Sequence, residues 1–460
     1  MSAFSWTDAA VRQALGLRAE LAVDGLSYTG VSTDSRTIEA GALYVALVGD
    51  RFDGHDFVAD ALARGALGAV VSRSVAGEPS ARLYPVEDTL VALGALAAFR
   101  RDHLDVPVVG ITGSAGKTTT KDLVKGALGG ALKVHATKGN LNNRIGMPLT
   151  LLATPDDAEV VVLEMGTNEP GEIGALAAIA RPDLGVVITV GEAHLEKLGS
   201  LEGVLHEKLD LLRNVVEGGD ALVGDEPDFL APAAREICPR LGVAGWSQRA
   251  DEALRPHGVE VDAWDGHRFL WHEHRVTLDI PGRHAVVNAL LALEVSRILG
   301  VPAKVAAQGV SGVKAGALRG EVRRVGDLTL VVDCYNANPP STRAALDLLD
   351  RQSASRKVAV LGSMLELGAA GPELHRDVLR HALALGLDLV VATGDFALAA
   401  QGLDDPRVLT GEGWSDAYPT LRDHLRGDEV VLLKASRGVA MEGMIPLLEA
   451  DFGAPVAGEV

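Results

Sequence analysis

A glycine-rich loop between an apolar strand and a helix start is the part of this sequence with the clearest chemistry. The run Pro107 to Thr112 has the composition of a short strand, Gly113-Ser-Ala-Gly116 makes a tight loop, and Lys117-Thr118 opens a helix. Glycines let backbone N–H groups turn inward around phosphate oxygens, and a helix N-terminus adds the positive end of its dipole. Lys117 would charge-pair with the β- and γ-phosphates, and the Thr118 hydroxyl would ligate Mg²⁺.

The spacing of this loop departs from the commonest phosphate-binding signature. That signature has a glycine five positions before Gly116, where this chain has Ile111. What remains is T-G-x-x-G-K-T in a strand–loop–helix context. The alternative is an ordinary glycine turn with a surface lysine, but the run GKTTT directly after an apolar strand favours nucleotide binding.

Two side chains that could ligate a metal follow other apolar runs. Glu164 ends the run Val160 to Leu163, so a parallel strand would deliver its carboxylate to the sheet edge that faces the phosphates. His194 follows the run Val186 to Val190 and would reach the same edge. The alternatives are a glutamate in solvent and a histidine that is solvated or satisfied by the protein.

Lys208 lies in the segment Leu201 to Leu212, whose apolar spacing predicts a helix. From the residues alone, a solvated helix lysine is the simpler interpretation. A second interpretation requires a desolvated ammonium, because desolvation lowers the pKa of a lysine. The free amine could then capture CO₂ as a carbamate, which would convert a cation into an oxygen ligand for a second Mg²⁺.

Polar side chains gather at three later points of the chain. Asn288 lies in the first turns of the helix that PGRHAVVNALLA opens, where it either contacts an adenine edge or faces solvent. VVDCYNANPPS carries Asp333, Asn336 and Asn338 at a strand end; Asn-Pro is turn chemistry by default, but polar groups this dense need partners, such as a ribose. In LKASRGVAME, the residues of a further anion-contacting loop are Lys434, Ser436 and Arg437.

The elements that must position these residues alternate between strands and helices. Short apolar runs recur, each followed by a Gly-rich turn and an Ala/Leu-rich amphipathic stretch. Further predicted strands are Leu328 to Val332, Val358 to Leu361, Leu389 to Ala392 and Val430 to Leu433. Continuous β-branched runs alternating with helices are typical of parallel strands covered on both faces. The predicted class is therefore α/β, with active groups at the carboxyl ends of the strands.

Two joints divide the chain into three predicted α/β domains. The segment His103 to Pro107 leads straight into a strand, and residues 311–320, rich in Gly and Ala, follow the predicted helix His284 to Leu299. At roughly 150 residues per domain, 460 residues also suggest about three domains. The predicted domains are a smaller N-terminal one at 1–105, a central phosphate-loop domain with a parallel sheet at 106–312, and a Rossmann-like one at 313–460.

Composition argues against several classes of protein. Lys and Arg number 43 against 62 Asp and Glu, a net charge of −19, whereas a nucleic-acid binder needs a basic face. Two cysteines cannot build a disulfide framework, which indicates a reducing compartment. No run approaches the ~18 apolar residues of a membrane span, and the N-terminus lacks a signal-peptide pattern. We expect a cytoplasmic protein without membrane insertion.

Eight motifs follow one another along the chain: TGSAGKTTT, VVLEMGTNEPGEIG, HLEKLGSLEGV, PGRHAVVNALLA, ALRGE, VDCYNANPPS, LGSMLELG and LKASRGVAMEG. This set resembles the ATP-dependent Mur ligases of peptidoglycan synthesis, and the resemblance covers nearly the whole chain. Residues 31–57 resemble the uridine-nucleotide-binding domain of the later members of that family. YNANP, NLNNRIG and MLELG point to the members that complete the peptide.

The resemblance implies an ATP-dependent amide ligase that joins D-alanyl-D-alanine to UDP-N-acetylmuramoyl-tripeptide through an acyl phosphate. It also implies a monomer, two Mg²⁺ ions and a carbamylated Lys208. The implied nucleotide-binding residues are Gly113, Ser114, Ala115, Gly116, Lys117, Thr118, Thr119, Asn288, Arg319, Asp333 and Asn336, with Arg319 at the γ-phosphate and Asp333 at the ribose. The implied metal ligands are Thr118, Glu164, His194 and Lys208, and the implied catalytic residues are Lys117, His194, Lys208 and Arg319.

The resemblance to the Mur ligases also implies a set of substrate-binding residues. At the uridine-diphosphate end they are Ser32, Asp34, Ser35, Arg36, Asp53, Gly54 and His55. In the loop that contacts the sugar-peptide they are Asn140, Asn142 and Asn143, and further substrate contacts are Asn338, Lys434, Ser436 and Arg437. Three positions depart from the family pattern: Ser363 replaces an acid or amide, Ala435 replaces a glycine, and Lys208 lies in EKLDLL instead of an AKGEI-like context.

Other functions stay open at this point. A P-loop ATPase that acts as a regulatory switch would share the loop and Glu164, but would not need residues 31–57 or YNANP. The Mur ligase that adds the third residue is disfavoured because the chain has no DNPR-type motif. The folate polyglutamate ligase is disfavoured because it lacks the uridine-binding first domain.

Overall fold

The computed structural model describes residues 4–49, 51–75, 83–262 and 266–453. Its N-terminal part has two small sheets. β1 (Trp6–Thr7) pairs antiparallel with β2 (Ser27–Tyr28), and the second sheet contains four parallel strands. These are, in spatial order, β3 (Val31–Ser32), β4 (Leu43–Val45), β5 (Gly68–Val71) and β6 (Leu83–Pro85). The helices of this part are α1 (Asp8–Ala14), α2 (Val58–Ala63) and α3 (Thr89–Asp102).

The central sheet has six parallel strands in the order β12-β11-β10-β7-β9-β8. They are β7 (Val108–Thr112), β8 (Val134–Ala136), β9 (Val160–Glu164), β10 (Leu184–Val187), β11 (Asp220–Gly224) and β12 (Leu241–Ala244). The associated helices are α4 (Lys117–Gly129), α5 (Gly146–Leu152), α6 (Glu172–Ala180), α7 (Leu195–Leu198), α8 (Leu201–Arg213), α9 (Leu230–Ile237), α10 (Arg283–Ile298) and α11 (Ala303–Ser311).

The apolar runs of the central strands are explained by burial on both faces. Val161 and Leu163 of β9 belong to one hydrophobic core, and Val160 and Val162 belong to another on the opposite face. The first core also contains buried residues of the N-terminal part, such as Trp6 and others on its strands, so the two parts are packed together. An antiparallel sheet that the apolar runs did not predict follows, made of β13 (His257–Val261), β14 (His267–Trp271) and β15 (His274–Leu278).

The C-terminal sheet has the order β16-β17-β21-β18-β19-β20, and only its edge strand β16 is antiparallel. The strands are β16 (Glu321–Val325), β17 (Leu328–Asp333), β18 (Lys357–Leu361), β19 (Leu389–Thr393), β20 (Val408–Gly411) and β21 (Val430–Lys434). The helices are α12 (Pro339–Arg351), α13 (Gly371–Ala384), α14 (Asp395–Ala399), α15 (Trp414–His424) and α16 (Ile445–Phe452). Among the described residues no helix has the length and apolar character of a membrane span.

The α/β class with parallel strands is confirmed, and one strand boundary is corrected. The sequence predicts a strand at Val186 to Val190, whereas β10 ends at Val187. The next residues stay beside the glycine loop, because the Ile188 N–H donates to Thr112 O at 3.0 Å and the Ser114 N–H donates to Thr189 O at 2.9 Å. The apolar run therefore continues past the strand to support the loop. The helix predicted to begin at His284 begins one residue earlier, at Arg283.

Candidate active site

The glycine loop has the geometry of a phosphate cradle. It joins β7, in which every residue is buried, to α4, which begins at Lys117. Gly116 has φ of +80°, and a Cβ there would lie 3.1 Å from the side-chain amide of Asn288. Glycine is required because this left-handed conformation and the close approach of Asn288 both disfavour a side chain. The loop is held on its other side by Ser114, whose Oγ donates to Gly191 O at 3.1 Å.

Lys117 points back over the loop, where its Nζ donates to Gly113 O at 2.8 Å. Burial lowers the pKa of Lys117, the carboxylate of Glu164 opposes this shift, and the cation of Arg319 adds to it. These two influences place Glu164 and Arg319 within electrostatic range of the lysine. Arg319 comes from the segment that leads into the C-terminal sheet, so two parts of the chain contribute to one site.

Glu164 ends β9 beside the loop, as predicted, and is 2% exposed. Its Oε1 accepts from Thr118 Oγ1 at 3.2 Å and from Asn142 Nδ2 at 2.8 Å. Its Oε2 is buried and has no hydrogen-bond partner. A buried carboxylate oxygen without a donor carries a large desolvation cost, so this oxygen needs a cation or another ligand.

The Glu164 site fits Mg²⁺, which takes one or two protein oxygens and completes its shell with water and phosphate. The Thr118 hydroxyl and the free Glu164 oxygen supply the two protein oxygens beside the phosphate cradle. Among the described residues no cluster of three or more His, Cys, Asp and Glu side chains is arranged to hold a metal.

Lys208 is fully buried on α8, and its Nζ has no hydrogen-bond partner. Burial lowers its pKa well below the usual range, and the charge of Lys117 lowers it further, against the raising influence of Glu207 and Glu172. Glu207 does not hydrogen-bond to Lys208, because its carboxylate accepts from the N–H groups of Gly171 and Ile173 at the start of α6. The solvated-lysine interpretation is therefore wrong, and Lys208 has the environment of a neutral amine.

His194 lies directly before α7 with its backbone in the left-handed region, at φ of +54°. Its Nδ1 lies 2.5 Å from Oε2 of Glu366, which belongs to the loop after β18. The nearby His194 lowers the pKa of the Glu366 carboxyl, against the raising effect of its burial, although Nδ1 of His194 makes no hydrogen bond of regular geometry. Two nearby residues that could rival Lys208 as a ligand lie elsewhere: Lys197 pairs with Glu169 at 3.3 Å, and His206 is exposed.

Asn288 is 2% exposed on α10, and its Nδ2 has no hydrogen-bond partner. The helix brings this amide against Gly116, next to the phosphate cradle. An unpaired buried amide beside a nucleotide-type loop suits a base edge that offers an acceptor. The interpretation of Asn288 as a solvent-facing residue is wrong.

Two side chains hold the turn that follows β17: Lys434, the last residue of β21, and Ser436, two residues after it. Lys434 is 2% exposed; its Nζ pairs with Asp333 Oδ2 at 2.8 Å and donates to Asn336 O at 2.7 Å. Ser436 Oγ donates to Ala337 O at 3.2 Å and accepts from the N–H of Leu365 at 2.9 Å. These contacts stabilise the turn, and a contact of either side chain with substrate stays a prediction.

Arg319 and Asn338 bring the C-terminal part to the glycine loop. The Arg319 guanidinium lies 3.7 Å above the ring of Tyr335, and Arg437 lies on the same ring at 6.0 Å. Asn338 begins α12 with a capping box and donates from Nδ2 to Ser114 O at 3.3 Å. Asn336 stays exposed. Tyr335, which the motif analysis left without a role, is thus the platform of Arg319.

The N-terminal sheet gathers its predicted residues at the carboxyl ends of neighbouring strands. Asp34 accepts from the backbone N–H and the guanidinium of Arg36, and the hydrogen bond from the Arg36 side chain lowers its pKa to about 2. Asp53 accepts from the N–H of His55 at 2.9 Å, which lowers its pKa to about 2. Both carboxylates raise the pKa of Tyr44 on β4, after the larger effect of its burial, so both lie within electrostatic range of that side chain.

This edge also contains a cation that the sequence analysis missed. Arg73 follows β5 and pairs with Asp53 at 3.0 Å and Asp56 at 2.7 Å. Its position two residues after a strand end was the available signal. Ser35 is buried, whereas Arg36 is exposed, and Gly54 could not carry a Cβ because Leu47 O would lie 2.6 Å away.

The loop between β8 and α5 reaches the Glu164 site through one of its three predicted asparagines. Asn142 contacts Glu164, as described above. Asn143 Oδ1 accepts from the N–H groups of Ile145 and Gly146 at 3.1 and 2.8 Å, which fixes the start of α5. Asn140 is exposed and contributes its backbone carbonyl to the Asn142 N–H at 2.8 Å.

Family models and known proteins agree with this arrangement. Residues 27–101 match the model described as Mur ligase family, catalytic domain; residues 111–296 match the Mur ligase middle domain; and residues 318–437 match the Mur ligase glutamate ligase domain. The UDP-N-acetylmuramoyl-tripeptide–D-alanyl-D-alanine ligase of Bacillus subtilis (strain 168) is 35% identical over 426 residues, covering 90% of this chain and 92% of the relative.

Two solved structures share the whole architecture. MurF from Acinetobacter baumannii superposes with a TM-score of 0.90 at 31% identity, covering 98% of this chain and 100% of that one. MurF ligase from Thermotoga maritima, solved in complex with ADP, superposes with a TM-score of 0.83 at 27% identity, covering 94% and 99%. With its sequence matched along nearly its full length, this chain belongs to the Mur ligase family.

Proposed function

We propose that this chain is an ATP-dependent ligase that joins D-alanyl-D-alanine to the terminal carboxylate of UDP-N-acetylmuramoyl-tripeptide in peptidoglycan synthesis. The observation that carries the proposal is the convergence on one glycine loop of a buried, half-unpaired Glu164, a buried Lys208 whose Nζ has no partner, and Arg319 from the C-terminal part. The names of the relatives supply the substrate class.

The reaction forms an amide from a carboxylate, which requires activation. The γ-phosphoryl group of ATP passes to the tripeptide carboxylate, giving ADP and an acyl phosphate. The neutral amine then attacks the acyl carbon, the bond from this carbon to the phosphate oxygen breaks, and the amine proton leaves with the phosphate. Lys117 and Arg319 offset the negative charge of the transferred group, and the loop N–H groups orient it. Thr118, Glu164 and His194 would hold Mg²⁺, which supplies charge neutralisation when bound. The protein provides no nucleophile.

Lys208 would serve as a ligand for a second Mg²⁺ after carbamylation. Its neutral amine attacks the carbon of CO₂, and one proton leaves the nitrogen, so that a buried basic group becomes a carboxylate-like anion. The support is its burial without a partner and the direction of its pKa. The nearby cation of Lys117 would then face an anion instead of a second lysine.

The remaining predicted residues divide between the two substrates. We propose that the edge carrying Ser32, Asp34, Ser35, Arg36, Asp53, Gly54 and His55 holds the uridine-diphosphate end, with Arg73 as an added cation. The loop with Asn140, Asn142 and Asn143 would contact the sugar-peptide. We also propose the division into domains at 1–105, 106–312 and 313–460, each anchoring one reactant, and a monomer in the cytoplasm.

The test is whether phosphate release depends on both building blocks. Purified protein with ATP and Mg²⁺ is assayed for ADP and phosphate with UDP-muramoyl-tripeptide, D-alanyl-D-alanine, both, or neither, while mass spectrometry follows the pentapeptide product. We expect phosphate and product in equal amounts, and only with both substrates. Steady ATP hydrolysis at the same rate with and without the two substrates would favour the switch ATPase. A preference for UDP-muramoyl-dipeptide with a free amino acid would favour the ligase that adds the third residue.

A further inference from the structure

Two arginines lie on the ring of Tyr335, and only one of them is paired with a carboxylate. The Arg437 guanidinium, 6.0 Å from the ring centroid, forms an ion pair with Oε1 of Glu442 at 2.5 Å. The Arg319 guanidinium lies closer, 3.7 Å from the same centroid. Among the residues that the structure describes, none forms a hydrogen bond or an ion pair with that guanidinium, and Oε2 of Glu442 is left without a partner.

The main chain fixes Arg319 and Tyr335 relative to one another. The Tyr335 N–H, in the turn after β17, donates to O of Leu318 at 3.1 Å, and the Arg319 N–H donates to O of Gly316 at 3.1 Å. Leu318 has φ of +62°, a left-handed conformation that is uncommon for leucine and persists where the surrounding structure determines it. The ring and the guanidinium are therefore brought together by the backbone on both sides.

An aromatic face holds an arginine differently from a carboxylate. A carboxylate accepts the N–H donors of the guanidinium and offsets its charge, as Glu442 does for Arg437. The face of a ring attracts the cation and orients the guanidinium plane, while the N–H donors at the edge stay free. Arg319 therefore keeps its charge and its donors in a fixed orientation, which suits an arginine that binds an anionic ligand.

This pair of side chains lies close to the phosphate cradle. The charge of Arg319 lowers the pKa of Lys117, after the larger effect of burial, so it lies within electrostatic range of a lysine that covers the glycine loop. Asn338, three residues after Tyr335, donates to O of Ser114 in that loop at 3.3 Å. The turn that carries the ring is thus itself in contact with the cradle, and the anion that Arg319 could meet there is a phosphate.

We propose that Tyr335 is a positioning residue for Arg319, which holds the guanidinium ready for the terminal phosphate of a bound nucleoside triphosphate. The inference rests on the γ-phosphate contact proposed for Arg319 above. Orientation in advance lowers the conformational entropy that the arginine loses when the ligand binds. Because a diphosphate lacks the phosphate that Arg319 meets, the ring should contribute to the affinity for ATP and not to the affinity for ADP.

The test compares Tyr335→Leu, which removes the ring face, with Tyr335→Phe, which keeps the face and loses only the hydroxyl. Arg319→Ala, alone and combined with Tyr335→Leu, completes a double-mutant cycle. Thermal unfolding checks that each variant folds like the wild type, and Tyr335→Ser takes the place of Tyr335→Leu if that variant does not. Calorimetry then measures the affinity of each protein for ADP and for a non-hydrolysable ATP analogue, both with Mg²⁺.

The expected losses are confined to the triphosphate. Tyr335→Leu should weaken binding of the ATP analogue about 5-fold, the scale of one cation–π contact, and weaken binding of ADP less than about twofold. Tyr335→Phe should bind both nucleotides like the wild type, because it keeps the ring face. Arg319→Ala should also weaken binding of the ATP analogue, and adding Tyr335→Leu to it should cause no further loss.

Equal losses for ADP and the ATP analogue in Tyr335→Leu would overturn the proposal, because the ring would then act on the part that both nucleotides share. Unchanged affinity for the analogue in Tyr335→Leu or in Arg319→Ala would overturn it as well. So would a further loss in the combined variant, or a Tyr335→Phe that binds as weakly as Tyr335→Leu. Failure of the ligase function is distinguishable, since these affinities require neither the UDP substrate nor D-alanyl-D-alanine.

Discussion

At the scale of single residues, the site is defined by buried polar atoms without partners. Glu164 Oε2, Lys208 Nζ and Asn288 Nδ2 each lack a hydrogen bond. Each would be costly if it stayed unpaired in the working protein, so each indicates a ligand that the protein alone does not supply. Under the proposed function, the three atoms would serve the cation, the carbamate and the base edge of one nucleotide site.

The first prediction concerns Glu164. Glu164→Ala should lower turnover by about 100-fold or more, the scale of losing one group that stabilises developing charge, because the cation loses its carboxylate ligand. Binding of the UDP substrate, measured by calorimetry, should change little, since that substrate anchors elsewhere. Glu159→Ala, an exposed glutamate directly before the same strand, is the control and should retain activity. Wild-type turnover in Glu164→Ala would refute the assignment.

A second prediction concerns Lys208. Lys208→Ala should lose most of the activity and regain part of it when formate or acetate is added, because a small carboxylate can replace the carbamate in the cavity. Steady-state rates across a series of carboxylate concentrations measure the rescue. Lys125→Ala, an exposed lysine on α4, should show neither the loss nor the rescue. Full activity of Lys208→Ala without additive would contradict the carbamate.

At the scale of elements, parallel strands carry the chemistry to one edge and helices hold the loops in place. The loop of Ser363 to Leu367 is an example, because α13 anchors it through a buried histidine. His375 Nε2 accepts from the Met364 N–H at 2.9 Å, and its Nδ1 donates to Gly371 O at 2.7 Å. Ser363 Oγ, where the family has an acid or amide, accepts from the Asp395 N–H at 2.9 Å and so caps α14.

The third prediction is a pH dependence of stability from this anchor. Burial lowers the pKa of His375 below that of the unfolded chain. Its contribution is therefore fully present above the unfolded pKa of about 6.5 and is lost as pH falls towards the folded pKa, since the unfolded state binds the proton first. Urea unfolding is measured at pH 7.5 and 5.5. Between these two pH values, the free energy of unfolding should fall by less in His375→Gln than in the wild type.

The comparison with wild type is necessary because the pKa of His135 is shifted in the same direction as that of His375. Burial lowers the pKa of His135 as well, so it also destabilises the folded state as pH falls. His135→Gln therefore serves as the matched variant, and the two effects should add. If the free energy of unfolding falls equally between pH 7.5 and 5.5 in wild type and His375→Gln, the hydrogen bond to Met364 does not depend on a neutral His375 ring.

At the scale of the whole molecule, the C-terminal part closes onto the glycine loop through small contacts. Asn338 contacts Ser114, and Pro340 packs so closely on Gly191 that a Cβ on that glycine would lie 2.8 Å from the proline ring. With a net charge of −19 and anionic substrates, the protein must bring cations together locally. In this arrangement Arg319 of the C-terminal part lies within electrostatic range of Lys117, so the contact between the parts brings two cations together.

The fourth prediction tests closure by steric means. Gly191→Val should hold the two parts apart, because a proline ring cannot move aside as the end of a flexible side chain would. Small-angle scattering should give a larger radius of gyration, and turnover should fall roughly 10-fold or more through lost alignment of the reactants. ADP binding to the loop should weaken less. Gly129→Ala, whose Cβ meets nothing within 4 Å, is the control. An unchanged radius would contradict the prediction.

The sequence by itself determined the local chemistry and the class of fold. The run before Gly113 predicted β7, and GKTTT predicted the loop and the start of α4, because a phosphate cradle needs short-range conformations that glycine and a helix start encode locally. The predicted strand ends placed Glu164 and Asp333 at the carboxyl ends of β9 and β17, because each parallel strand delivers its last residue to the carboxyl edge of its own sheet. The family motifs extended the prediction of site residues to positions that lie far apart in the chain.

Only the tertiary structure decided which groups are left without partners and which are used within the protein. Lys208 reads as a solvated helix residue in sequence, and its burial depends on the packing of α8 against the sheet. The sequence places Lys434 in a predicted anion-contacting loop, and only the structure shows that it pairs with Asp333 across adjacent strands. The contact of His194 with Glu366 joins residues in two separate parts of the chain. Desolvation and charge pairing depend on distances through space, which local residue patterns do not encode.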